Sequence, residues 1–131
     1  MSIDDFINAA KMNNKSVITE YLHNGFNINE KDEYGFTVLQ EAAEFGHKDL
    51  FWYLINKGAD IRNVTYEGYN VIHAIAIGGD NEMLKYAIDK GISIKDRITS
   101  GEQKGMDAED YARMFKNNSI LSDIIKYKGI A

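Results

Sequence analysis

Apolar positions come in short runs broken by glycine, and the runs recur along the chain. Val38-Leu39-Gln40-Glu41-Ala42-Ala43 and Val71-Ile72-His73-Ala74-Ile75-Ala76 each predict a short apolar helix. A break follows at Phe45-Gly46-His47 and at Gly78-Gly79-Asp80, and a second helix then runs through Leu50 to Ile55 and through Met83 to Ile88. Those second helices stop at Lys57-Gly58 and Lys90-Gly91. The cation complements the carboxyl end of a helix, and glycine accepts the left-handed cap. A glycine turn opens each unit, at Asp32-Glu33-Tyr34-Gly35 and Tyr66-Glu67-Gly68.

The step between units is 33 residues: Gly25, Gly58 and Gly91 keep it, as do Gly35 with Gly68 and Gly46 with Gly79. Apolar ladders share the register, namely Val17, Leu50 and Met83; Leu22, Ile55 and Ile88; Ile28, Ile61 and Ile94. Helices this short cannot bury their apolar faces alone, and stacking neighbours along one axis solves that. The expectation is an all-α solenoid with β-turn tips and no long strand. One domain, 1–131, divides into approximate repeats 1–31, 32–64, 65–97 and 98–131.

The stretch from Gly35 to Asp60 reads GFTVLQEAAEFGHKDLFWYLINKGAD. It resembles the ankyrin repeat, G-x-T-P-L-H-x-A-A-x-x-G-H followed by a helix ending L-L-x-x-G-A-D. The next unit keeps His73, Gly79 and Gly91; the first keeps Phe6, Ala9, Ala10, Leu22 and Gly25 but lacks an opening turn. The last fits after a four-residue insertion, with Gly105 to Ala112 at the turn and first helix and Ile120, Ile124 and Ile125 in the closing helix. Degenerate outer units are expected of terminal caps. The family proline is replaced by Val38, Val71 and Ala108, so the chain has no proline at all. The family threonine survives as Thr37, with Asn70 and Asp107 able to cap instead. The family histidine survives as His73, with Gln40 and Asp110 at the matching positions.

Composition narrows the function. Twenty acidic residues against 15 Lys and Arg give a net charge of −5, which argues against nucleic acid as partner. No apolar stretch approaches a membrane span, and the acidic N-terminus lacks the basic region of a signal peptide. Absence of cysteine excludes disulfides, a Cys-ligated zinc site and a thiol nucleophile, and fits a cytoplasmic location. His23, His47 and His73 share no face, so neither a metal site, a cofactor nor catalysis is expected. The resemblance implies that His73 bonds turn backbone between repeats. Ser100 to Gly105 lacks the phosphate-loop spacing and reads as an extended turn or a contact loop.

The resemblance also implies that target contacts come from the turn tips and the inner face of each first helix. Those positions are Lys11 and Met12; Glu33, Tyr34, Phe36, Glu44 and Phe45; Tyr66, Glu67, Tyr69 and Ile77; Met114 and Phe115. Six are aromatic and three are glutamate. Rings exposed on one surface are what a binding hot spot needs, and glutamates between them favour a basic partner. Trp52 is expected to pack over the outer helices, with a second interface as the alternative. The expected function is non-enzymatic protein binding by a monomer through an aromatic and acidic concave face, in the form of an immunity protein or antitoxin. A regulatory adaptor or secreted effector is the alternative, and a degenerate hydrolase using His73 is the least favoured.

Overall fold

A computed structural model describes residues 1–130. It contains α1 (Ile3–Lys11), α2 (Lys15–His23), α3 (Val38–Glu44), α4 (Lys48–Asn56), α5 (Val71–Gly78), α6 (Asn81–Asp89), α7 (Ala108–Met114) and α8 (Asn118–Ile130). Each odd-numbered helix packs on the even-numbered helix that follows it. The odd helices also pack side by side, α1 on α3, α3 on α5 and α5 on α7, forming an inner layer. Among the described residues there is no β-strand.

One continuous core joins the two layers. Phe6, Leu39 and Ile72 from inner helices meet Phe51, Leu54 and Leu84 from outer ones, all essentially without solvent contact. The outer layer is tied laterally by side chains. Tyr53 and Thr19 share a hydrogen bond between their hydroxyls at 2.9 Å. The Trp52 ring is half-buried and sits edge-on to Phe51 and Tyr86, with centroids 5.0 and 5.3 Å away. Trp52 therefore packs within the outer layer.

The start of the inner helices shows how different residues meet one geometric demand. In α5, Asn70 Oδ1 accepts from the backbone N–H groups of Ile72 and His73, while His73 Nδ1 accepts from Asn70 N at 2.9 Å. His73 Nε2 faces Asp96 O at 2.9 Å in the next turn and donates to it, because Nδ1 is the acceptor. Burial lowers the His73 pKa and keeps this neutral form. In α3, Gln40 does both jobs with an amide: its Oε1 accepts from Thr37 N, and its Nε2 donates to Asn63 O. In α7, Asp110 accepts from Asp107 N at 3.0 Å, so a carboxylate makes the same return bond to the cap. His73 is thus a backbone connector between repeats.

One sequence expectation changes. Gly78, read as part of a break, is the last residue of α5. Ile120, Ile124 and Ile125 all lie in the closing helix, as expected, and Ile125 is 46% exposed there. Helix α8 runs on to Ile130, with Ile120 and Ile124 as its buried residues.

Candidate functional site

Turn tips and inner helices form one wall of the molecule. Gly35 carries φ of +92°, and a Cβ there would stand 3.1 Å from Thr65 Cα, so glycine permits both the turn and the approach of the next tip. Backbone bonds then link successive tips: Tyr66 N donates to Tyr34 O at 3.2 Å, and Thr99 N donates to Glu67 O at 2.8 Å. Gly78 sets the helix spacing. A Cβ on it would lie 2.0 Å from Glu44 O, so only glycine lets α5 lie this close to the end of α3. The result is a groove of about 790 Å³ running over α3, α5 and α7.

The groove has a rim, a floor and a charge. Tyr34 and Tyr66, 64% and 69% exposed, stand on the rim with Phe45 and Phe115. Phe36, Tyr69 and Tyr111 make an aromatic floor, with Tyr69 lying 5.3 Å from Phe36 and meeting Tyr111 edge-on at 6.0 Å. Glu33, Glu44 and Glu67 supply the charge, and among the described residues no Lys, Arg or His lines the groove. The Tyr69 hydroxyl donates to Glu44, and the Tyr111 hydroxyl donates to Gln103. Burial pushes the Tyr69 phenol well up and the Tyr111 phenol up to about 12, so both stay protonated donors at neutral pH.

All the expected contact residues line this groove except Lys11, Met12 and Met114. Met12 and Met114 are exposed but lie outside it. Among the expected residues that line the groove, Tyr69 lies deepest. It is only 7% exposed, stacked on His73 and bonded to Glu44, so it forms the floor of the groove. Phe36 and Ile77 are half-buried for the same reason: the neighbouring repeat leans on them. Sequence reasoning missed Thr65, Ile98, Gln103 and Tyr111. Tyr111 had a signal, since it stands where Ala74 stands once the insertion is counted. Gln103 comes from the insertion itself, which folds against Glu67: a Cβ on Gly101 would meet that carboxylate at 2.5 Å.

A second groove, about 540 Å³, lies between α1 and α3 and shares Glu33, Tyr34, Phe36 and Glu44 with the first. Its other walls carry Asp4, Asp5, Asp32 and Glu41, and Lys11 is its one cation. Glu41 is 3% exposed and faces Lys11 Nζ at 3.5 Å. Burial, and then the charge of Glu44, push its carboxyl up to about 7 despite Lys11.

Among the described residues, no cluster of His and carboxylates is placed to hold a metal ion, and no helix is long and apolar enough to cross a membrane. His47 Nε2 is taken by Lys11 O at 2.7 Å. The family model for ankyrin repeats (3 copies) matches residues 6–65. No curated protein matches the sequence. Ankyrin repeats are a protein-interaction fold. Residues 6–65 therefore carry ankyrin repeats, and the helix pairs beyond residue 65 have the same build.

Proposed function

We propose that the four helix pairs act as one domain that holds a single protein partner on the wall formed by the turn tips and inner helices, and that the chain serves as a monomeric immunity protein or antitoxin in the cytoplasm. The observation that carries this reading is the groove itself. Four rings stand on its rim, partly desolvated and backed by a floor that is already hydrogen-bonded. Such rings release much water when a partner covers them, and the stiff stack beneath them lowers the ordering cost of binding. Three carboxylates and no cation in the lining favour a basic partner surface and speed its encounter. A basic toxin or nuclease has that surface.

Co-expression with the toxin-like products of neighbouring genes tests the reading. A stable complex that protects the cell, and that Tyr34→Ala or Tyr66→Ala weakens by about 1–3 kcal/mol, is the expected result. Absence of both complex and protection removes the antitoxin reading. A complex that is indifferent to both substitutions moves the binding surface elsewhere.

A further inference from the structure

The two grooves are contiguous but unlike, and the contrast describes a ligand. The larger is aromatic, with carboxylates only along its edges. The smaller gathers Asp4, Asp5, Asp32, Glu33, Glu41 and Glu44 around Lys11. Glu33, Tyr34, Phe36 and Glu44 line both, so the two grooves adjoin. Together they cross four inner helices. Neighbouring helix axes lie about 8–10 Å apart, so the combined track is about 24–30 Å long. An extended segment of about eight residues covers that distance.

We propose that the combined track receives one two-part segment of the protein partner: a cluster of Lys or Arg side chains between α1 and α3, adjoining a large apolar side chain over α3, α5 and α7. This rests on the reading that this wall binds protein, and it assigns a chemistry to each half. Charge complementarity fixes the basic half. Six carboxylates face a single lysine there, and Glu41 is held at low exposure with that lysine as its ion-pair partner. The aromatic half offers ring faces that bury an apolar side chain, and its glutamates discriminate against an acidic neighbour.

Proton linkage supplies a second signature. Glu41 is faced by Lys11, Asp4 and Asp5 from α1, by Asp32 and Glu33 from the turn, and by Glu44 on its own helix. A partner cation favours the carboxylate form, so binding releases a proton from Glu41 near neutral pH and weakens as pH falls from about 8 to 6.

The test uses a synthetic peptide with a run of Lys and Arg, a short Gly-Ser spacer and a Trp-Leu-Phe segment. It is titrated into the isotope-labelled full chain and followed by NMR. The expected result is saturable binding that shifts amides near Asp5 and Asp32 as well as those near Tyr66 and Phe115. Peptides carrying only the basic or only the apolar half bind at least about tenfold more weakly. Asp32→Asn reduces the salt dependence, Tyr66→Ala weakens binding without changing it, and Glu41→Gln flattens the pH dependence. Equal binding of a peptide with Glu in place of Lys and Arg overturns the proposal. So does binding confined to one groove, or no saturable binding at all. If the natural complex is still lost with Tyr66→Ala while the peptide fails, only the two-part assignment falls. If the natural complex ignores Tyr66→Ala, the reading beneath it falls too.

Discussion

Aromatic side chains occupy both layers of the stack, and they are treated in opposite ways. In the outer layer Trp52, Tyr53 and Tyr86 are consumed internally. Trp52 is edge-on to two rings, Tyr53 bonds Thr19 and lies under Lys15 at 4.1 Å, and Tyr86 lies under Lys90 at 5.3 Å. On the inner wall only the floor is consumed: Tyr69 and Tyr111 have their hydroxyls and ring edges occupied. The rim rings above them stay exposed. Ring content alone therefore does not mark a binding surface. The proposed contact surface is placed instead on rings that stay exposed on the rim.

The same contrast holds for charge. In the outer layer Lys15, Lys57 and Lys90 sit over rings, and Lys48 and Lys85 pair with exposed or half-buried carboxylates. The inner wall instead keeps Glu41 buried beside one lysine and two acidic neighbours. The largest expected effect follows from that carboxyl. Its folded-state pKa of about 7 lies above the ordinary 4.5, so the folded state holds the extra proton between those values. Stability then falls as pH rises from about 4.5 through 7, by roughly 3 kcal/mol in all. Urea unfolding between pH 5 and pH 8 checks this. Glu41→Gln should remove that part of the pH dependence and be the more stable protein at pH 8. A variant with the wild-type pH dependence contradicts it.

Trp52→Ala comes next. Removing a half-buried indole from the outer layer should cost about 2–3 kcal/mol of stability and leave partner affinity unchanged. Tyr66→Ala should do the reverse: about 1–3 kcal/mol of affinity, with the denaturation midpoint unmoved. If both variants lose stability alone, the distinction between claimed and unclaimed rings fails. The smallest effect concerns the missing proline. Val38 opens α3, where a helix N–H has no intrahelical partner, and Thr37 before it is extended with φ −114° and ψ 165°. Val38→Pro should therefore stabilise the inner layer by about 0.4–1 kcal/mol, read from the same urea curves. A loss would mean that the buried valine side chain matters more than the preset backbone.

Much of this was legible because a repeat writes its geometry into spacing. The 33-residue ladders located the turns and both helices of the middle units, and the family template pointed to most of the groove lining. Depth was not legible. Tyr69 and Tyr66 sit three residues apart on one turn, yet one is floor and the other rim, since the next repeat covers only Tyr69. Spacing also says nothing about what a neighbouring helix contributes. Asp4 and Asp5 read as ordinary residues of a helix's first turn, and only the packing of α1 on α3 turns them into a wall of the acidic groove.

The central claim is that the unclaimed rings form the partner surface. Site-specific photo-crosslinking in the native cell tests it most directly, with a benzophenone side chain in place of Tyr66 on the rim and, separately, in place of Lys85 on the outer layer. The account predicts one discrete protein adduct from position 66 and none from position 85. An adduct from position 85 alone, or the same adduct from both, would contradict it.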